Sequence, residues 1–183
     1  MELFRRIDRV LTLIERATML VGAAMLFSIM MISALDVAMR YAMNMPLTWS
    51  YDLISVFLMC GVFFFSLSDT LRSNEHVAVD LLHSAMNDRA RHAALLLGYV
   101  LASIVFCAMT SVAYARLVAS YTNDEVLASS VAWPTWIAAL FVTLGLGVTS
   151  LRILYRTCGH FVSAVTGRSF IALPPLSGAY EVV

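Results

Sequence analysis

The sequence between residues 17 and 35 is ATMLVGAAMLFSIMMISAL, an apolar run without a charge that lies between Arg16 and Asp36. About 20 helical residues are enough to cross the roughly 30 Å hydrocarbon core of a bilayer. The run exceeds the about 7–15 apolar residues of a cleaved signal peptide, and its N-terminal flank mixes acids with bases. We therefore expect it to remain in the protein as a membrane anchor.

Three further runs of the same kind follow, at residues 53–68, 93–115 and 131–151. In the chain of 183 residues, 61% are hydrophobic and 13% are charged, against about 45–50% and 25% in soluble proteins. This composition excludes a soluble domain, a nucleic-acid-binding protein and a disulfide scaffold. It predicts an all-α integral membrane protein with one four-helix domain at residues 1–158, followed by a mobile cytoplasmic tail at 159–183.

The orientation follows from the arginines, because the chain has no lysine. Of its 12 basic residues, all but Arg40 and Arg116 lie in the N-terminal segment, the second loop or the C-terminal segment. Basic residues are retained on the cytoplasmic side, so both termini are expected there. Trp49, Trp133 and Trp136 fall at the opposite ends of the spans, as expected of an interfacial aromatic belt.

Two short segments outside the spans have helical periodicity. Apolar residues recur at three- and four-residue spacing between Leu3 and Ile14, with charged residues between them. This pattern predicts an N-terminal amphipathic helix in the membrane interface. Residues 79–91 are predicted to form a second interfacial helix, on the cytoplasmic surface.

Charged residues and histidines are absent from the middle of the four runs. Asp69 and Arg152 mark span ends, where side chains can reach water, and the four His lie outside the runs. A proton-coupled exporter needs a mid-membrane carboxylate, and a b-type haem subunit needs facing His. We therefore expect no catalytic site, no cofactor and no metal. His76, Asp80 and His83 would share a helix face if that loop is helical, and such residues could hold a metal, but their spacing is common by chance.

Small residues recur at helical spacing on two spans, where they allow close approach of neighbouring helices in lipid. They are Gly98 and Ala102 on the third span, and Ala139, Thr143 and Gly147 on the fourth. A different signal is the i, i+4 pair of Asp36 and Arg40, which favours continuation of the first helix past the bilayer.

Several short motifs occur in an order that resembles a transporter family. They are DVAMRY at 36–41, PLTWSYDL at 46–53, CG at 60–61, LRSNEHVAVDLL at 71–82, WPTW at 133–136 and the end of the fourth span at 145–152. Together they resemble the small membrane subunit of tripartite ATP-independent periplasmic (TRAP) transporters, the DctQ-like family. The resemblance covers residues 16–156 and includes Gly61 of the second helix, which it implies is a packing residue, and the His76-x-x-x-Asp80 segment. Tyr51 stands where the family more often has an acid.

The resemblance implies an accessory subunit, not an enzyme, of a sodium-driven uptake system in a bacterial inner membrane. In such systems a periplasmic solute-binding protein delivers a solute, often an organic acid, to a large permease subunit that carries the substrate and sodium sites. The small subunit would brace the permease and help to dock the binding protein. The residues expected at that docking face are Trp49, Asp52, Trp133 and Trp136, with Asp36 and Arg40 fixing the first outer loop.

A different reading of the same residues is a self-contained four-span membrane protein, either a small exporter or a membrane enzyme. It predicts a homo-oligomer on purification instead of a complex with a large polytopic partner.

Overall fold

The computed structural model describes residues 2–72, 88–129 and 131–166. Within them the chain forms α1 (Glu2–Met43), a short α2 (Ser50–Asp52), a π-helical segment (Leu53–Leu58), α3 (Met59–Arg72), α4 (Asp88–Thr122) and α5 (Trp136–Thr166). No strand occurs in this part of the chain. Its only β feature is an isolated bridge between Val126 and Pro134.

Four helical stretches are long and apolar enough to cross a membrane, which confirms the predicted all-α fold with four spans. They are Arg6–Met43, Ser50–Leu71, Ala94–Thr122 and Trp136–Val162. The second stretch is continuous through α2, the π-helical segment and α3. It is therefore longer than the predicted run at 53–68, because the helix continues into polar residues at both ends.

Some helix boundaries differ from the predicted ones. The N-terminal amphipathic segment is the first part of α1, with no break before the apolar run. The fourth helix begins at Trp136 and not at 131, because Leu127 N donates to Trp133 O at 2.8 Å and holds that segment in a loop. At its other end α5 continues to Thr166, so residues 159–166 of the predicted tail are helical.

Other predicted segments lie outside the described residues. These are residues 79–87 of the predicted cytoplasmic helix and the remainder of the tail, 167–183.

The helices form an open layer in the order α1, α3, α5, α4. α1 packs against α3, α3 packs against α5, and α4 packs almost wholly against α5. None of the residues in the most apolar window of α4 is buried inside the chain. The buried apolar core is small and consists of Leu11, Phe57, Phe65, Leu146 and Ile153. Most of the apolar surface is therefore left for lipid or for a partner.

The closest helix crossing lies between α3 and α5 at Gly145. A Cβ atom there would lie 2.6 Å from Phe64 Cβ and 2.7 Å from Phe64 C, so only glycine fits. Gly61 lies between α1 and α5, where a Cβ would meet the flexible side chain of Met25. Gly98 and Gly147 have no atom within 4 Å of such a position. Any packing role of these two glycines therefore requires a surface outside the described residues.

Candidate functional site

Side-chain contacts define two ends of the helical layer. At the terminal end Arg152, just past the middle of α5, bonds to Asp8, near the start of α1. At the opposite, loop end Asp52 of α2 accepts a hydrogen bond from Ser129, in the segment that precedes α5. Both ends carry networks of polar side chains. The two networks differ in how deeply they are buried and in how accessible they would be to a partner protein.

The first loop at the loop end, residues 44–49, is held by the carboxylate of Asp36. One oxygen accepts a hydrogen bond from Arg40 Nη2 at 2.7 Å, and the other accepts from the backbone N–H of Leu47 at 2.7 Å. Asn44 has a φ of 57°, a left-handed conformation that Asn tolerates better than most residues and that reverses the chain after α1. The Asp36 side chain is 14% exposed, whereas that of Arg40 is 59% exposed. The predicted pair therefore exists and leaves the guanidinium accessible.

The second loop is organised by Glu125, which the sequence analysis missed. Its carboxylate pairs with Arg116 at 2.7 Å and accepts from Ser120 Oγ at 3.2 Å. Its backbone carbonyl accepts two hydrogen bonds from Thr135, from N and from Oγ1, each at 3.0 Å. The available signal was charge, because Arg116 follows the third apolar run in the sequence and the acids Asp124 and Glu125 come shortly after it.

Asp52 connects the two loops. Its carboxylate accepts a hydrogen bond from Ser129, and Asp52 is the residue directly before the π-helical segment. Trp49 is half-buried immediately before α2, while Tyr51 is 75% exposed. Asp52 is therefore a half-buried residue whose carboxylate links the two loops.

The other two predicted tryptophans also lie at the loop end. The Trp133 ring packs on Phe57 of the π-helical segment with centroids 5.9 Å apart, and the Trp136 ring meets Tyr121 edge to face at 5.8 Å. Both tryptophans are half-buried. All four predicted docking residues thus lie at one end of the fold, where they also support the two loops.

A groove of about 600 Å³ opens at this end between α1 and the π-helical segment. Its walls include Asp36, Arg40, Leu47, Tyr51, Ile54 and Met59. It combines one exposed cation with apolar and aromatic surface, which is the composition of a protein contact site more than of an enzyme pocket.

The terminal end corrects the prediction that Asp69 and Arg152 reach water. The Arg152 side chain is only 6% exposed and pairs with Asp8 at 2.6 Å and with Glu15 at 3.3 Å. Glu15 is fully buried and accepts from Ser68 Oγ at 2.8 Å, and Asp69 is 8% exposed. The prediction was wrong because α1 begins far ahead of its apolar run, so its charged part packs onto α3 and α5.

A sequence signal for this network did exist in the spacing of α1. Asp8, Leu11 and Glu15 lie three and four residues apart and therefore share one helix face. Leu11 is 7% exposed, which marks that face as the buried one.

His160 is also placed differently from the prediction that every His lies outside the spans. It is 1% exposed, belongs to the fourth spanning stretch and stacks on Tyr99 of α4 with centroids 5.2 Å apart. Arg156 Nη1 donates to Tyr99 Oη at 2.7 Å, and Thr157 Oγ1 donates to Tyr99 O at 3.3 Å. These contacts join α4 to α5 at the terminal end.

The described residues contain no group of three His, Cys, Asp or Glu side chains with metal-binding geometry. His76 and Asp80, the family-like pair, lie outside the described residues.

One family comparison gives a match, and it agrees with the resemblance seen in the sequence. The family described as "Tripartite ATP-independent periplasmic transporters, DctQ component" matches residues 29–163. Neither the curated proteins nor the solved structures gave a significant match. The matched segment spans well over half of the chain and includes parts of all four spanning helices and both loops of the loop end. The chain therefore belongs to the DctQ component family of tripartite ATP-independent periplasmic transporters, whose members are small membrane subunits of a transporter and not enzymes.

Proposed function

We propose that this chain braces the large permease subunit of a sodium-driven transporter that takes up an organic acid. It lies in a bacterial inner membrane with both termini in the cytoplasm. Its loop end faces the periplasm and contributes to the surface on which the solute-binding protein docks. Family membership supports the assignment to a transporter. The distribution of charge and apolar surface supports the division of roles between this chain and the permease.

The main support for the bracing role is that charged side chains are confined to the two ends of the helical layer. Between the two ends, the runs at residues 17–35, 53–68, 93–115 and 136–151 contain no Asp, Glu, Lys, Arg or His side chain. A subunit that bound a solute anion or an ion at mid-membrane would need such groups or irregular backbone there. A static helix layer does not, and the exposed sides of α1 and α4 offer it two apolar surfaces for a permease.

The docking role is supported by the composition of the loop end. The Asp52 carboxylate, the exposed Tyr51 ring and the exposed Arg40 guanidinium lie near half-buried tryptophans. Aromatic and Arg side chains are enriched where proteins bind one another. The polar contacts of Asp36 and Glu125 keep both loops ordered before the partner arrives, which reduces the entropic cost of association.

Asp52→Ala tests this role directly. We expect solute uptake by whole cells to fall while the abundance of the subunit in the membrane is unchanged. Asp52→Asn separates charge from shape, and Ser129→Ala removes the contact between the loops while keeping the carboxylate. Loss of uptake in both Asp52 variants and not in Ser129→Ala would identify docking. Unchanged uptake in Asp52→Ala would remove this residue from the docking surface.

The brace is tested by purifying the tagged chain from its native membrane in a mild detergent and identifying what elutes with it. We expect one large polytopic protein in stoichiometric amount. A folded homo-oligomer of this chain alone would favour the self-contained four-span protein instead, and attention would return to chemistry inside these helices.

A further inference from the structure

A shallow cavity of about 430 Å³ lies on α1 at the terminal end, away from the docking surface proposed above for the loop end. It is lined by Asp8, Arg9, Thr12, Leu13 and Arg16. All but Asp8 recur at spacings of three, four and seven residues, so they share one face of the helix. Arg9 and Arg16 are exposed and lie about 10 Å apart along the axis.

Within the described residues, the two arginines have no counter-ion. Neither forms an ion pair with another residue in the described ranges, although Arg152 does so with Asp8 at 2.6 Å. The positions three and four residues away from each arginine on α1 hold no acid. The one carboxylate in the cavity wall is thus already paired, and the face has an excess of positive charge.

The depth of Arg16 places this charge at the level of lipid headgroups. Twenty residues of helix separate Arg16 from Asp36, a rise of about 30 Å that equals the hydrocarbon thickness. On the same side of α1, Leu20 is 71% exposed and Phe27 is 59% exposed. An apolar strip of about 16 Å, half the hydrocarbon core, therefore runs from the arginines towards the bilayer centre.

We propose that this arginine face of α1 (Arg9, Thr12, Leu13, Arg16, Leu20) is a binding site for an anionic phospholipid. The guanidinium groups of Arg9 and Arg16 hold the headgroup phosphate, Thr12 offers a hydroxyl between them, and an acyl chain lies along Leu20 and Phe27. The lipid supplies the charge that the chain lacks and anchors the start of α1 in the interface. This inference does not depend on docking or on solute uptake.

The test is native mass spectrometry of the full chain in detergent, titrated with phosphatidylglycerol or with phosphatidylcholine of the same acyl chains. The wild type is expected to prefer phosphatidylglycerol. Since a basic residue near an anionic lipid surface contributes about a fivefold factor in affinity, Arg9→Gln/Arg16→Gln should weaken phosphatidylglycerol binding about 25-fold. The matched control is Arg40→Gln/Arg116→Gln, which makes the same change in charge at the loop end and should retain binding.

Three results of the titration would overturn the site: equal binding of both lipids by the wild type, unchanged binding by the arginine-face variant, or an equal loss in the control. Glycerol phosphate in large excess should not displace the lipid, because it lacks the acyl chains. Displacement would mean that the face binds a free phosphate group instead.

A photoreactive residue at Leu20, activated in native membranes, should give a lipid adduct. Protein adducts alone would show that a partner subunit covers this face.

Discussion

Arg152→Met removes the centre of the buried charge network at the terminal end. The guanidinium is 6% exposed and is shared between the half-exposed Asp8 and the fully buried Glu15. Methionine keeps much of the side-chain volume, so the main change is the loss of the charge opposite Glu15. Removing one partner of a buried ion pair costs about 3–5 kcal/mol, because the remaining charge stays away from water. We therefore expect the free energy of unfolding to decrease by an amount in that range.

The assay is reversible unfolding of the purified chain in detergent micelles, followed by a probe of tertiary structure. Arg116→Met is the matched control, because it breaks a pair of similar length, 2.7 Å, whose arginine is 61% exposed. Exposed pairs contribute less than about 1 kcal/mol. The double variant Arg152→Met/Glu15→Leu removes both buried charges and should be more stable than Arg152→Met alone.

The reasoning would be refuted if Arg152→Met lost no more stability than Arg116→Met. It would also be refuted if the losses of Arg152→Met and Glu15→Leu simply added in the double variant, because independent effects would mean that the two charges do not interact.

Two further predictions concern helix packing and the first loop. Gly145→Ala should destabilise the chain by more than about 2 kcal/mol, because its Cβ would meet Phe64 at 2.6 Å. Gly98→Ala should instead raise the free energy of unfolding by up to about 1 kcal/mol through helix propensity. Unfolding in micelles compares the two variants, and equal effects would contradict the close crossing. Asp36→Ala removes the acceptor that holds residues 44–49, so hydrogen exchange in that loop should rise by about tenfold or more. Unchanged exchange would show that the loop is held by other contacts.

Much of the architecture could be predicted from the sequence because membrane insertion depends on local properties. Length, apolarity and the absence of charge in residues 17–35 are sufficient for a span, since every backbone polar group in lipid must be satisfied within the helix. The order of the motifs from residue 36 to residue 152 led to the family that residues 29–163 match. The i, i+4 pair of Asp36 and Arg40 was likewise visible as a local feature.

The candidate sites were predicted less completely. Trp49, Asp52, Trp133 and Trp136, the residues proposed for docking, were placed at one end from span topology, and the structure locates them at one end. The organising role of Glu125 was missed because its partners come from α4 and from the start of α5, which no linear pattern relates.

The membrane-spanning segments could be predicted from the sequence, because hydrophobic partition depends on each segment separately. The packed fold was needed to show that Arg152 and Glu15 are buried together, that Gly145 and not Gly98 is at a close helix crossing, and that the four helices form an open layer. The physical reason is that burial of a charge and contact between helices depend on which faces meet. Those faces are chosen by the packing of segments far apart in the chain, after each has satisfied its own hydrogen bonds in lipid.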